Sequence, residues 1–407
     1  MRFAEALCRS GLGAIAEFKR RSPSAGDIRP DARVEEIVAS YGTAGASAVS
    51  VLVDERFAGS LDDLRAARAV TDVPLLAKGF FSTADHLQAV REAGADAALL
   101  ILRDLDDATA AALMADAERL GLDTLVEAHD AEELDRATAL GAAVIGVNAR
   151  DLGTFAIDRR AQLELVARAP RDRVIVAESA IHSRAQAAAA ELAGADAVLV
   201  GTSLMRATDP GGKLRELVAR PLVKVCGLTR QEDVDTAVEA GADLVGFVFA
   251  EGSPRRAPAV LDVPETALSV SVHVGTAEDA GADLVQLYRD DGGTVRGREA
   301  VLLRDGDEVA RVLDLPWQSE DPDHWRNAAG ADGRVMLAGG LGPENVGAAI
   351  EAVRPWAVDA SSSLETEPGI KDRARVRAYV EAAHSRRLDG GCKGAEAAAR
   401  PAPERKK

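Results

Sequence analysis

The sequence is short of aromatic rings: Phe, Trp and Tyr together make up 3% of its 407 residues. So few rings leave little surface on which single-stranded bases could stack. It is also short of positive charge. Lys and Arg number 49 against 66 Asp and Glu, a formal net charge of −17 at pH 7, which disfavours binding to a phosphate backbone. Cysteines stand only at 8, 226 and 392, and this wide spacing makes neither a disulfide framework nor a metal cluster. No apolar run approaches the roughly 18 residues that a membrane span needs, and the opening MRFAEALCRSG has no signal-peptide core. The expectation is a soluble, acidic, cytoplasmic protein of two to three domains, with no nucleic-acid, membrane or metal partner.

What the chain has in quantity is a repeat. AGASAVSVL at 44–52 recurs as AGADAALLIL at 93–102, LGAAVIGV at 140–147, AGADAVLVG at 193–201, AGADLVGFVF at 240–249 and AGADLVQLY at 280–288. Each copy reads as the end of an Ala-rich helix, a Gly stop in the left-handed conformation, and a short apolar run suited to a strand buried on both faces. Such strands are predicted at 13–18, 47–52, 74–77, 96–102, 123–127, 143–147, 173–177 and 196–200. The count restarts at 222–226, 243–249, 268–274, 283–287, 299–303, 310–314, 334–338 and 355–359. Eight strand–helix units are the arithmetic of a closed (β/α)8 barrel, so the fold class is α/β with two tandem TIM barrels. An open doubly wound sheet is the alternative for either half. Residues 1–220 and 221–387 form the two domains, the second compressed or partly degenerate, with short or absent helices between 275 and 310; residues 388–407 are a disordered tail.

Barrels of this kind carry chemistry at the C-terminal ends of their strands. There the first half places Glu17, Lys19, Lys78, Glu127, Asn148 with Arg150 just beyond, Glu178 and Gly201. Two lysines and three carboxylates converging on one rim would perturb one another's pKa values, as acid–base chemistry requires. The small residues of ESAIHS and GTSLM open helices after strands seven and eight, where barrels often bind phosphate. Ser22-Pro23-Ser24 is a rigid hydroxyl-bearing turn, and Phe57 and Phe80 follow strands two and three, suiting an aromatic substrate part.

The segments IAEFKRRSPSAGDI, LLAKGF, LVEAH, GVNARDL, AESAI and LVGTSLM, in order over 12–206, resemble indole-3-glycerol-phosphate synthase. The resemblance implies ring closure of a carboxyphenylamino-deoxyribulose phosphate with loss of CO2 and water, and no cofactor. It implies Lys78 as the acid that protonates the substrate carbonyl, Lys19 on the anthranilate carboxylate, and Glu127 as base or acid in dehydration. Glu17, Asn148 and Glu178 would orient substrate and lysines, and Arg150 and Ser22 would bind polar substrate atoms. Ser179, Gly201 and Thr202 would hold phosphate, while Pro23, Phe57, Phe80, Leu99, Leu152 and Leu199 wall the ring. The family's Lys-Asp-Phe reads Lys78-Gly79-Phe80 here, its Glu-Ser-Gly reads Glu178-Ser179-Ala180, and its N-terminal lid extension is expected to be missing.

The second half, with VKVCGLTRQEDV, VQL, VLD, LAGGLGPENV and AVDASSSLETEPGIKD, resembles phosphoribosylanthranilate isomerase over 222 to about 380. The resemblance implies an Amadori rearrangement with Cys226 as base, its thiol pKa lowered, and Asp314 as acid. Arg255 would hold the anthranilate carboxylate, and Gly339, Gly340, Asp359, Ser361 and Ser362 the phosphate. Three departures stand out: Tyr288 replaces the His of the family's VQLHG, LPWQSEDPDHW replaces a Gly-rich loop, and Ser361-Ser362-Ser363 replaces SSG. The resulting expectation is a bifunctional, monomeric enzyme of tryptophan biosynthesis acting on small phosphosugar–anthranilate substrates. Its rivals are a monofunctional synthase with a decayed second barrel and a non-catalytic phosphosugar-binding protein.

Overall fold

The computed structural model describes residues 3–8, 11–23, 25–150, 156–289, 299–314 and 328–386. The chain divides into two compact units, the first taking residues up to His182 and Ala189–Val218, the second Ser183–Ala188 and the described residues from Ala219 on. Leu152, the tail at 388–407 and the loop after Asp314 lie outside the described residues.

The first unit is a closed barrel of eight parallel strands: β1 (Gly13–Phe18), β2 (Ala48–Leu52), β3 (Leu75–Lys78), β4 (Ala97–Ile101), β5 (Asp123–Ala128), β6 (Val144–Asn148), β7 (Val174–Glu178) and β8 (Ala197–Val200). β8 closes onto β1 with Ile15 opposite Leu199. Ile15, Leu76, Leu99, Leu125, Val176 and Leu199 fill the interior, and Phe3 and Leu7 of the short helix Phe3–Leu7 pack fully buried against the same cluster. Five of the following helices start on a side-chain cap. Ser60, Thr83, Asp106, Asp130 and Asp158 each accept the N–H three residues on, which satisfies a donor the helix leaves orphaned.

The repeat has a structural reason. Its glycines at 45, 94, 141, 194, 241 and 281 all have φ between +70° and +113°, a conformation that disfavours any residue with a Cβ. Where the repeat reads AGAD, the Asp carboxylate accepts an N–H from the first or second residue of the preceding strand. Asp96 takes Leu75, Asp196 takes Ile175 and Asp243 takes Val223, each at 2.9 Å, and Asp283 takes Ser269 at 2.8 Å. Each Asp thus ties its own strand to its neighbour at the N-terminal end of the barrel.

The second unit is also a closed eight-stranded barrel: β9 (Leu222–Cys226), β10 (Leu244–Val248), β11 (Leu268–Val274), β12 (Leu284–Tyr288), β13 (Glu299–Arg304), β14 (Asp307–Asp314), β15 (Val335–Ala338) and β16 (Ala357–Ala360). The sequence-based expectation needs one correction: β13 runs antiparallel to both β12 and β14. The reason is local. Arg304 pairs with Asp307 across Asp305 and Gly306, whose φ angles are +52° and +90°. That is the geometry of a type I′ hairpin turn, for which Asp-Gly is a preferred pair, and two residues cannot hold the crossover that a parallel pair needs. Between Ala240 and Asp314 the described residues form no helix, as the compressed reading of this half anticipates.

Candidate active sites

At the C-terminal ends of β1–β8 lies a cavity of about 950 Å³. Among the residues expected there, Glu17, Lys19, Ser22, Pro23, Phe57, Lys78, Phe80, Leu99, Glu127, Asn148, Arg150, Ser179, Leu199, Gly201 and Thr202 all line it. Glu178 lies just beneath, fully buried. The Lys78 ammonium is 2.7 Å from Glu178, 3.5 Å from Glu17 and 3.9 Å from Glu127. Lys19 binds the other Glu17 oxygen at 2.6 Å. Gly201 lets this pair exist, because a Cβ there would sit 2.3 Å from Glu17 Oε1 and 3.0 Å from Lys19 Nζ.

Burial alone would strip the charge from Lys78, but the three carboxylates outweigh it and hold the ammonium above its ordinary pKa. Burial likewise raises Glu17, and Lys19 and Lys78 more than reverse this. Glu178 is pushed up by burial and by the Glu127 charge, against the pull of Lys78. Glu127 is held below the usual carboxylate range: burial raises it, but His129 and Lys78 prevail.

His129 is a residue the sequence reading passed over. Its Nε2 is 3.1 Å from Glu127 and its Nδ1 is 2.9 Å from Glu133, and Arg103 stands 3.6 Å from Glu133 behind it. Burial lowers the imidazole, but the two carboxylates lift it to about 9, so the ring is a cation beside Glu127. The LVEAH motif contains it, two residues past Glu127 and so on the same side of the strand. Asn148 Oδ1 accepts the Arg150 N–H at 3.0 Å, which sets the start of the following loop. Ser22 Oγ accepts the Ala25 N–H at 3.1 Å, so it shapes its own turn as well as facing the cavity. Arg56 stacks on Phe80 with its guanidinium 3.7 Å from the ring centroid.

Ser179 and Ala180 carry φ of +70° and +55°, two consecutive non-glycine residues in the left-handed region. His182 and Arg206, also missed from sequence, line the cavity beside them. Burial lowers the His182 imidazole, and the charges of Arg159, Arg206, Lys213 and Arg150 lower it further. This positive field suits a phosphate.

In the second unit a cavity of about 900 Å³ is lined by Cys226, Arg255, Asp314, Gly339, Gly340, Asp359, Ser361 and Ser362, all as expected, and by Tyr288. Three details differ from expectation. The Cys226 thiol is pushed up by burial more than the Lys224 charge pulls it down, because the strand end that presents it is dry. The Asp359 carboxylate is paired with Lys224 at 2.9 Å and repels phosphate, so its place in a phosphate loop is not that of a side-chain ligand. Arg255 is already clasped by Glu365, through Nε and Nη2, at 2.7–3.0 Å, and Lys371 holds the other side of Glu365 at 2.9 Å. Phe249 and His273 stack with centroids 5.4 Å apart and form a flat wall that sequence alone did not point to.

Two family models match the chain: "Indole-3-glycerol phosphate synthase" over residues 1–217 and "N-(5'phosphoribosyl)anthranilate (PRA) isomerase" over 323–382. "Indole-3-glycerol phosphate synthase 2" of Streptomyces coelicolor is 48% identical over 217 residues, which cover 53% of this chain and 84% of that one. "Tryptophan biosynthesis protein TrpCF" of Yersinia pestis is 35% identical over 403 residues, covering 90% of this chain and 84% of that one. "Multifunctional tryptophan biosynthesis protein" of Schizosaccharomyces pombe is 32% identical over 459 residues, covering 93% of this chain and 60% of that one. With two closed barrels, each carrying a polar cavity, and relatives that span both, the chain belongs to the bifunctional tryptophan-biosynthesis family that fuses an indole-3-glycerol-phosphate synthase to a phosphoribosylanthranilate isomerase.

Proposed function

We propose that the two cavities divide the two reactions between them, the second barrel making the substrate of the first. The observation that carries the synthase half is a single ammonium, Lys78, surrounded by three carboxylates at 2.7–3.9 Å. A cation preorganised in this way can protonate a ketone oxygen without solvent reorganisation. As the anthranilate ring carbon attacks, Lys78 gives its proton to that oxygen, and Glu178, hydrogen-bonded to Nζ, resupplies it. Lys19, turned by Glu17, meets the anthranilate carboxylate. Decarboxylation restores the aromatic ring; Lys19 then protonates the hydroxyl so that it leaves as water, and Glu127, kept ionised by His129, takes the proton lost as the new ring double bond forms. Ser179, Gly201 and Thr202 hold the phosphate, with Arg150 and Ser22 on the neighbouring polar groups. Pro23, Phe57, Phe80, Leu99 and Leu199 flank the ring.

In the isomerase half, Asp314 protonates the ribose ring oxygen as its bond to the anomeric carbon breaks and the anthranilate nitrogen forms an iminium. Cys226 then removes the proton from the adjacent carbon as its thiolate, a form that burial opposes and the Lys224 charge beside it favours, and the resulting enol becomes the ketone. Arg255 meets the carboxylate through Nη1, and Gly339, Gly340, Ser361 and Ser362 meet the phosphate. A thiol base works only where thiols stay reduced, which supports a cytoplasmic setting, and we take the chain to act as a monomer.

A paired assay tests this reading. Lys78→Met should abolish indole-ring closure and spare isomerisation, and Cys226→Ala should do the reverse. Loss of both activities in either folded variant would contradict two separate sites. Isomerisation unaffected by Cys226→Ala would leave the second cavity without its base. Size-exclusion chromatography with light scattering checks the monomer.

A further inference from the structure

We propose that Tyr288 is a positioning residue of the isomerase reaction, holding Asp314 so that a chosen carboxylate oxygen carries the proton. The inference deepens the reading of Asp314 as the acid and rests on it. Four side chains from three strands, β9, β12 and β14, form one line of hydrogen bonds inside the second barrel. Lys224 Nζ donates to Gln286 Oε1 at 2.6 Å, Gln286 Nε2 donates to the Tyr288 hydroxyl at 2.9 Å, and that hydroxyl donates to Asp314 Oδ2 at 3.0 Å. Lys224, Gln286 and Tyr288 are 0%, 1% and 5% exposed.

The direction of every hydrogen follows from one end. An ammonium has donors and no acceptor, so it fixes the amide oxygen of Gln286 on its own side. The amide NH2 is then turned to Tyr288, which must accept there and has its single proton left for Asp314. Burial, reinforced by the Asp359 charge and by that of Asp314 once it has given up its proton, keeps that phenol protonated. Asp314 Oδ2 therefore receives a hydrogen in every turnover, and the proton that Asp314 delivers resides on Oδ1. Without Tyr288 the hydrogen that marks Oδ2 is lost, and part of the population presents its proton away from the substrate. The chain also reaches the base, because Lys224 is the cation beside Cys226.

The test uses the full chain, with phosphoribosylanthranilate as substrate and indole-ring closure as internal control. Tyr288→Phe, nearly isosteric, should lower the isomerisation kcat about 10- to 100-fold, the range for a lost hydrogen bond to a charged group, with KM and ring closure unchanged. Tyr288→His, which restores a ring N–H donor, should recover most of the loss. A wild-type kcat in Tyr288→Phe, or a loss carried by KM with no recovery in Tyr288→His, overturns the proposal. Asp314→Asn separates the two levels. If it abolishes isomerisation while Tyr288→Phe is normal, this inference alone fails; if it leaves isomerisation at the wild-type rate, the reading of Asp314 as acid fails.

Discussion

Glu127 and Glu178 face the same Lys78 ammonium, at 3.9 and 2.7 Å, yet their carboxyl groups are driven in opposite directions. Glu178 is raised by burial and by its neighbour's charge, while Glu127 is held down by His129 and Lys78. Environments that push a pair of carboxyls apart set up an acid and a base in one site. In the proposed mechanism Glu178 is the proton donor of the pair and Glu127 the acceptor.

The two carboxyls therefore respond differently to amide replacement. Glu127→Gln should lower the ring-closure kcat by about 10²- to 10⁴-fold, the usual reach of one acid–base group. Glu178→Gln keeps an acceptor for Lys78 and should cost less. kcat should fall on the alkaline side as Glu178 loses its proton, and that fall should flatten in Glu178→Gln. pH–rate profiles of the two variants check both points.

His129 links charge to stability. Its folded pKa is raised to about 9, against about 6.5 for a free imidazole. The stabilisation is therefore complete below about pH 6.5 and is lost as pH rises through about 9. The thermal midpoint of the synthase barrel should fall across that window, and His129→Asn should remove the slope and lower the midpoint at pH 6.5. Calorimetry at several pH values, with residual ring-closure activity after heating, measures it.

Ala180 sits at φ +55° directly after Ser179 at +70°, where an L-residue costs roughly 1–2 kcal/mol. Ala180→Gly should raise the urea midpoint, by about 1 kcal/mol of stability once glycine's greater unfolded-state freedom is deducted. It should also lower KM for the phosphorylated substrate. An unchanged or lower midpoint would show that the loop is not strained.

Asp243 accepts the buried Val223 N–H at 2.9 Å. Asp243→Ala leaves that donor unsatisfied and should destabilise the second barrel by about 1–3 kcal/mol. Asp243→Asn, which keeps an acceptor, should cost less. Denaturant titration followed by isomerase activity distinguishes them, and ring closure should be spared.

The strand count was legible because buried parallel strands are written as apolar runs after Gly stops, and period and length survive in one dimension. So was the rim of Glu17, Lys78, Glu127 and Glu178, since a charge ending an apolar run can only stand at a barrel mouth. The orientation of β13 was written too, in Asp305-Gly306, but apolar runs look alike in either direction and only the two-residue turn distinguishes them.

Other features have no trace in local sequence. Nothing near Asp96 or Asp243 says that an acid in a repeat caps the preceding strand, because its partner lies about 20 residues away. Composition and motif alone place Glu127, Glu178 and Lys78 on one rim. Which carboxyl keeps its proton depends on His129 behind one of them and on how deeply each is buried. The pairing of Asp359 with Lys224, 135 residues apart, and the hydrogen-bond line to Asp314 likewise exist only once the barrel closes. The sequence by itself determined the two barrels and the identity of their rim residues, through periodicity and residue chemistry. Tertiary structure alone decided their charge states and partners, because burial and Coulomb interaction depend on distance in space.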